Sequence, residues 1–486
     1  MPIALSSTTD WQKLRPAEPE FDVVIIGGGS AGFAAGRMAQ SLGAKTAIIE
    51  GAKDVGGLCI LRGCMPSKAL LESGHRMHAI ERAEEFGLEA KAVQADMARI
   101  QDRKRRLIDE FAAYRRQQLE EGVFSFLRGN ASFLDPHALL LEKADGAKEL
   151  VTGGTFILAS GSVIQEVEIP GLKEAGYWTS DTALEATQIP KRLAVLGGGV
   201  VAVELGQFFS RVGAKTTLLQ RSRHVVGAYD EDVSIELERA FAAENLELVT
   251  GVKLLEVTKT AGKKKITYLC GEVKKELVVD EILYALGRAP ALKGLKVENA
   301  GLEISGGRLK TFPTMATAAR HIFAAGDVVG RHEVVHIAIQ QGEIAARNAM
   351  RVVRGDPGEP EKIDYRLKTL VTFTAPEIGL VGLTEKEAQK EGIEYVVASY
   401  PFNDHGKSMI GGHEFGFVKL MAEKTRGEII GAQIIGPHAS DMIHELIAVM
   451  YYRGTVGDLA VMPHYHPTLA EIVTYPAEEL AEKLKQ

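Results

Sequence analysis

Phe21-Asp22-Val23-Val24-Ile25-Ile26-Gly27-Gly28-Gly29-Ser30-Ala31-Gly32 decides the fold. The Val/Ile-rich run over 21–26 suits a strand buried on both faces of a parallel sheet. Gly27, Gly29 and Gly32 follow at GxGxxG spacing, and a small-residue helix is predicted from there to about Gly43. A second buried strand, residues 45–49, ends at Glu50. Strand, glycine turn, helix and strand with a terminal acid is the context that turns a weak GxGxxG match into a dinucleotide site. The glycines let backbone approach a pyrophosphate, which the free N–H groups and dipole of the helix N-terminus bind. Glu50 would accept hydrogen bonds from ribose hydroxyls.

The device recurs downstream. Residues 193–196 form another strand, followed by Gly197, Gly199 and Ala202, a helix, and a strand ending near Leu219. Glu50 stands 23 residues after Gly27, and Gln220 stands 23 residues after Gly197, so the two copies are in register. The acid of the first copy is thus neutral in the second and is followed by Arg221, Ser222 and Arg223. A 2′-phosphorylated ribose is repelled by an acid and attracted by arginine, so the second site favours NADP(H) over NAD(H). The plainer reading of Arg221 and Arg223 is two solvated surface charges.

Composition narrows the rest. A chain of 486 residues suggests about three domains. Its 45% hydrophobic and 25% charged residues are those of an ordinary globular protein. A net charge of −7 gives no footprint for nucleic acid. No apolar run approaches the ~20 residues that span a bilayer, and residues 1–20 carry Asp10, Lys13, Arg15 and Glu18 in place of a signal-peptide core. Three cysteines make no disulfide scaffold, and the compartment reads as reducing cytoplasm. Residues 99–116 read as an amphipathic helix with Ile100, Leu107, Ile108 and Phe111 inward and a solvated basic face; residues 259–265 read as a hairpin turn.

Two of the three cysteines fall in Gly56-Gly57-Leu58-Cys59-Ile60-Leu61-Arg62-Gly63-Cys64-Met65-Pro66-Ser67-Lys68. A metal site would need two further ligands, and none is near in sequence, so no metal is expected. Beside two dinucleotide sites, CxxxxC reads better as a dithiol–disulfide redox pair than as two unrelated buried cysteines. Pro66 suits the first turn of a helix whose N-terminus would lower the Cys64 thiol pKa. Cys270, in an apolar segment, reads as structural.

Residues 56–68 resemble the redox signature of the pyridine nucleotide–disulfide oxidoreductases, flavoproteins that include dihydrolipoamide dehydrogenase, glutathione reductase and mercuric reductase. The likeness extends from about Asp22 over nearly the whole chain. Residues 157–162, with Ser160 and Gly161, resemble the segment closing the first flavin-binding stretch. Residues 285–290, with Gly287 and Arg288, resemble the exit from the nicotinamide domain, and residues 323–327, with Gly326 and Asp327, the motif whose Asp holds the flavin ribitol. Residues 371–385 and 416–436 resemble the dimerisation domain. The implied architecture is α/β: two Rossmann-like dinucleotide-binding domains plus a C-terminal α+β dimerisation domain. It would divide as 1–170 for FAD with the redox pair, 171–292 for NAD(P), 293–365 completing the FAD domain, and 366–486 for dimerisation.

The resemblance also implies roles. FAD would rest on Gly27, Gly29, Gly32, Glu50, Gly57, Lys68, Ser160, Gly161, Gly326 and Asp327. Electrons would pass from NADPH at Gly197, Gly199, Ala202, Arg221 and Arg223 through FAD to Cys64 and Cys59. Lys68 and Glu204 match an ion pair beside the flavin. His466-Pro467-Thr468 with Glu471 matches a His–carboxylate acid–base pair that serves the other subunit of a homodimer. His464 reads as supporting or unrelated. The substrate would be a small disulfide, or a dithiol in the reverse direction.

Subfamily cues conflict. Residues 66–71 and 466–471 look like dihydrolipoamide dehydrogenase, whereas Arg221 looks like the NADPH-dependent enzymes. Arg37, Tyr114 and Arg347 fall where glutathione reductases contact their tripeptide, although Ser67 stands where those enzymes usually have Lys. The last residues, Glu482-Lys483-Leu484-Lys485-Gln486, lack the cysteine pair of mercuric reductase. Alternatives are a glutathione reductase-like enzyme and a flavoprotein subunit recruited into a larger complex for its surface. Residues 1–20 resemble nothing in the family and read as an arm, either flexible or packed across a neighbour.

Overall fold

The computed structural model describes residues 3–5 and 16–485. Two compact units are built from interleaved stretches: Met1–Pro66, Lys104–Gln165 and Arg288–Asp364 form the first, and Ser67–Arg103, Glu166–Gly287 and Tyr365–Gln486 the second.

In the first unit Phe21–Ile26 lies between Thr46–Glu50 and the C-terminal half of the long strand Lys148–Leu158, all parallel. Ser125–Arg128 extends the sheet beyond Thr46–Glu50, and Ile322–Ala324 extends it beyond Lys148–Leu158. Val23, Val24 and Ile25 are fully buried, as the uninterrupted apolar run requires of a central parallel strand. The N-terminal half of Lys148–Leu158 turns to antiparallel pairing with Ala138–Glu142, which pairs Asn130–Asp135. Ile3–Leu5 pairs the same stretch, so part of the N-terminal arm is a strand; residues 1, 2 and 6–15 lie outside the described residues. The chain leaves and re-enters this unit through paired strands, Ser162–Ile164 against Arg288–Pro290.

The second unit repeats the parallel design. Arg192–Leu196 lies between Lys215–Leu219 and Glu281–Tyr284, with Glu247–Val249 and Trp178–Thr179 at the edges. A meander, Val252–Thr260, Lys263–Cys270 and Val273–Val279, is inserted before the last major strand; its first turn, at Ala261-Gly262, is the hairpin predicted at 259–265. Cys270 is half-buried at the end of the middle strand. Residues 369–436 supply a five-stranded antiparallel sheet backed by helices Ala439–Tyr451 and Thr474–Lys483.

The helix Met97–Glu120 departs from its predicted facing. Ile108 is buried as expected, yet Lys104 is buried as well, while Phe111 is exposed. Gln101 is drawn inward because its amide donates to the carbonyls of Leu184 and Ala186 at 3.0 and 2.8 Å. No helix among the described residues is long and apolar enough to cross a membrane, and no group of His, Cys, Asp and Glu there could hold a metal.

Candidate active site

Gly27 ends its strand at φ +110°, a left-handed conformation that disfavours a side chain, and a Cβ there would overlap the Ala159 carbonyl. A Cβ at Gly32 would overlap the Gly27 carbonyl oxygen, so the helix Ser30–Ser41 can pack this closely only with glycine. That helix starts at Gly29 with no side-chain cap, leaving first-turn N–H groups for a ligand. Glu50 is pinned: Oε2 accepts from the Gly28 N–H at 3.0 Å and Oε1 from the Ala52 N–H at 2.8 Å. Gly57 lies against Gly29, where its Cβ would come within 2.7 Å of the Gly29 Cα. Across the same unit Ser162 donates to Asp327 at 2.7 Å, Arg288 donates to the Ser162 hydroxyl at 2.8 Å, and the Ser160 hydroxyl donates to the Ala291 carbonyl at 2.8 Å. The Gly326 N–H donates to Gln341 at 2.7 Å, and Gly161 and Gly326 both have positive φ. An uncapped helix N-terminus, an oriented acid and an anchored Asp327 together fit a flavin dinucleotide.

In the second unit Gly197 repeats the strained turn at φ +117°, its missing Cβ facing the Ala285 carbonyl. Gly199 starts the uncapped helix Val200–Arg211, and a Cβ there would meet open space; Ala202 is buried. The Gln220 amide donates to the His224 carbonyl at 3.3 Å, while its oxygen accepts from the Arg221 N–H at 3.1 Å. Arg221 and Arg223 are exposed, the latter 3.7 Å from Glu231. Gly287 has a positive φ where the chain leaves this unit.

Cys59 lies in the short helix Gly57–Arg62, and Cys64 opens the helix Cys64–Glu81; both are half-buried. Gly63 makes the turn between them, where a Cβ would come within 2.9 Å of the Leu58 carbonyl. Cys59 faces a cavity of about 540 Å³ that Arg37, Tyr114 and Arg115 also line, with Phe33, Phe111 and Ile339 as apolar wall. The Arg115 guanidinium lies 4.0 Å from the Phe33 ring centroid, and Arg37 lies 6.0 Å from the same ring. Burial holds Arg115 below the usual arginine pKa, opposed by a Cys59 thiolate and Tyr114 and reinforced by Arg37. The Arg115 Nε is buried with no hydrogen-bond partner among the described residues. Arg347 does not join this cavity. Its guanidinium pairs with Glu361 at 2.9 Å and lies 3.8 Å from Glu343, which already supply the counter-charge a substrate carboxylate would bring.

Two further constellations lie in the second unit. Lys68 contacts both Glu204 oxygens at 2.8 and 3.1 Å and sits 4.6 Å from the Phe373 ring centroid. Glu204 is buried and also accepts from the Phe373 N–H at 2.8 Å, which fixes its carboxylate. His466 Nδ1 is 3.0 Å from Glu471 Oε2, with the imidazole 81% exposed. Burial pushes the Glu471 carboxyl up, but hydrogen bonds from His466 and His405 outweigh it and hold the group below its ordinary range.

The family model for pyridine nucleotide-disulphide oxidoreductases matches residues 21–342, and the model for that family's dimerisation domain matches residues 369–477. The chain belongs to this family. It is 31% identical over 467 residues to a dihydrolipoyl dehydrogenase of Bacillus subtilis (strain 168), covering 93% of this chain and 96% of that one. It is 32% identical over 455 residues to a mercuric reductase of Staphylococcus aureus, covering 93% of this chain and 81% of that one. Among solved structures, LpdA from Mycobacterium tuberculosis matches with a TM-score of 0.83 at 24% identity, covering 94% of this chain and 99% of that chain. The HOCl-induced flavoprotein disulfide reductase RclA from Escherichia coli, as its Cu(II) complex, matches with a TM-score of 0.82 at 23% identity, covering 95% and 100%. The expected fold class is therefore right, and the chain is an FAD-family disulfide oxidoreductase with a dimerisation domain.

The structure adds residues to these separate constellations that sequence reading passed over. Arg115 sat unremarked in a basic helix. Ser162, one residue beyond Gly161, joins Arg288 to Asp327. Phe373 backs the Lys68–Glu204 pair. His405 reaches Glu471 from 66 residues away, a separation at which no local motif could announce it.

Proposed function

We propose that this protein is a homodimeric, FAD-dependent NADPH:disulfide oxidoreductase whose Cys59–Cys64 pair carries electrons to a small disulfide, or runs the reverse oxidation of a dithiol. The observation that carries this reading is Cys59 opening onto a lined cavity, one short turn from Cys64 and in the same compact unit as the Gly27–Glu50 cradle. Bound flavin and nicotinamide supply hydride transfer and store an electron pair. The protein's residues do the rest. Gly27, Gly29 and Gly32 would open the backbone to the flavin pyrophosphate, Glu50 would take the ribose hydroxyls, and Asp327, tied through Ser162 to Arg288, would take the ribitol. Lys68, held by Glu204, would supply a fixed positive charge to steady negative charge developing on the reduced flavin.

In the reduced pair Cys59 is the attacking thiolate. Its sulfur bonds one sulfur of the substrate disulfide, and the substrate S–S bond breaks. The departing thiolate takes a proton from His466 of the partner subunit. Cys64 then attacks the Cys59 sulfur, which restores the protein disulfide and releases the second substrate thiolate.

NADPH is favoured over NADH because Gln220 leaves the ribose edge uncharged with Arg221 and Arg223 exposed beside it. For the substrate, residues 66–71 and 466–471 and the dihydrolipoyl dehydrogenase relatives favour lipoamide. Arg37 and Arg115, which both line the Cys59 cavity, favour a carboxylate-bearing disulfide such as glutathione disulfide. The test is the initial rate of nicotinamide oxidation with NADPH and NADH crossed against lipoamide and glutathione disulfide. Rapid NADPH-dependent turnover of one disulfide supports the proposal. An NADH preference overturns the reading of Arg221, and failure of both disulfides overturns both substrate readings.

A further inference from the structure

Glu471 has two carboxylate oxygens and two imidazole partners. His466 Nδ1 is 3.0 Å from Oε2, and His405 Nε2 is 3.2 Å from Oε1. A carboxylate only accepts, so both contacts require N–H donors, and Nδ1–H on His466 leaves Nε2 as its exchangeable nitrogen. His405 is 1% exposed, and its other nitrogen, Nδ1, is 2.7 Å from the buried Ser408 hydroxyl. With Nε2 donating, a neutral His405 accepts at Nδ1 from the Ser408 O–H, so one direction of donation satisfies every group from Ser408 to His466.

Other titratable groups stand nearby without reaching this carboxylate. The Tyr475 ring packs against His405 with 6.1 Å between centroids, Tyr400 stacks on Tyr475 and reaches Asp404 at 3.1 Å, and His464 pairs with Glu445 at 2.7 Å. Among the described residues, His405 and His466 supply all the donors on the Glu471 carboxylate.

We infer that His405, oriented by Ser408, is a positioning residue that keeps Glu471 ionised and aimed at His466, and so sets the basicity and tautomer of the acid–base histidine. The inference rests on the reading of His466 and Glu471 as the acid–base pair. Without the His405 donor, Oε1 is buried and unpartnered, and the Glu471 pKa rises. As Glu471 takes up a proton it stops stabilising a positive charge on the His466 imidazole.

The test uses the full-length holoenzyme and reads His466 directly. The rate of carbethoxylation of His466 by diethyl pyrocarbonate, followed by peptide mass spectrometry across pH, gives the midpoint of its titration without turnover. His405→Ala should move that midpoint down by about one pH unit and lower disulfide turnover about tenfold. His405→Gln, whose amide N–H stands where Nε2–H stood, should restore most of both. Ser408→Ala should move the midpoint the same way by a smaller amount, and it decides the matter if His405→Ala does not fold. An unmoved midpoint in His405→Ala, or in Ser408→Ala where that variant decides, overturns the inference, as does a loss that Gln fails to restore. His466→Gln separates the two levels. Full turnover in that variant removes the acid–base reading itself, whereas its collapse beside an unmoved midpoint in His405→Ala removes only the role of His405.

Discussion

The two glycine turns, 27–32 and 197–202, begin alike and finish differently. Gly27 and Gly197 share a left-handed φ, +110° and +117°, and each would press a Cβ into the carbonyl of a neighbouring segment, Ala159 or Ala285. Both following helices start without a side-chain cap. The copies diverge at the third glycine position, where a Cβ on Gly32 would overlap the Gly27 carbonyl while Ala202 carries a buried methyl, and again at the strand end, where the first copy has Glu50 and the second has Gln220. Shared features are dictated by turning a parallel strand into a helix over a pyrophosphate. On the proposed reading, the features that differ encode which dinucleotide is read. The same physics therefore predicts intolerance at one set of positions and exchangeability at the other.

The largest effect is expected at Gly32. Gly32→Ala forces a methyl onto backbone that cannot yield, at a cost of about 3 kcal/mol or more, and flavin content measured by absorbance should collapse. Ala202→Gly, the reverse change in the other turn, should cost only about 1 kcal/mol of helix stability and keep nicotinamide binding. Full flavin retention in Gly32→Ala would erase the distinction between the turns. Next comes the strand end. Arg221→Ala should cut the NADPH:NADH ratio of kcat/KM by about tenfold, and Gln220→Glu added to it should bring the drop to about a hundredfold. An unchanged ratio would make both arginines mere surface charge. The reciprocal change, Glu50→Gln, gives up one of the two side-chain oxygens that accept from backbone N–H groups and should weaken flavin retention about fivefold by equilibrium dialysis.

The smallest expected effect distinguishes the units by acid. In the second unit, burial holds His75 down at about 4 from 6.5, with Arg211 of the Val200–Arg211 helix pushing the same way. The folded state resists a proton that the unfolded chain accepts, so this contribution to stability is whole above pH 6.5 and is lost as pH falls toward 4. Denaturant midpoints between pH 7 and 5 should therefore fall less steeply in His75→Leu than in the parent. Identical slopes would remove His75 from the account.

Local spacing explains what the sequence made legible. A glycine turn or a CxxxxC segment is dictated within a dozen residues, so Gly27–Gly32, Gly197–Ala202 and Cys59–Cys64 could be read directly. Lys68 and Glu204 stand 136 residues apart and were reachable only through resemblance. Arg347 shows the limit of positional likeness, because Glu361, which its guanidinium pairs with, belongs to no motif. Helical periodicity misplaced Lys104 and Phe111 because the faces of Met97–Glu120 are chosen by distant partners, such as the carbonyls that draw Gln101 inward. The Arg115–Phe33 contact and the His405–Glu471 bond depend in the same way on tertiary proximity.

The central claim, that Cys59 and Cys64 are the electron-carrying pair, is tested most directly by thiol labelling. Iodoacetamide would be added anaerobically to the oxidised holoenzyme and to the same protein after NADPH, with alkylated peptides mapped by mass spectrometry. The account predicts that Cys59 becomes labelled only after NADPH, while labelling at Cys270 does not change. Labelling at Cys59 that is the same with and without NADPH would contradict it.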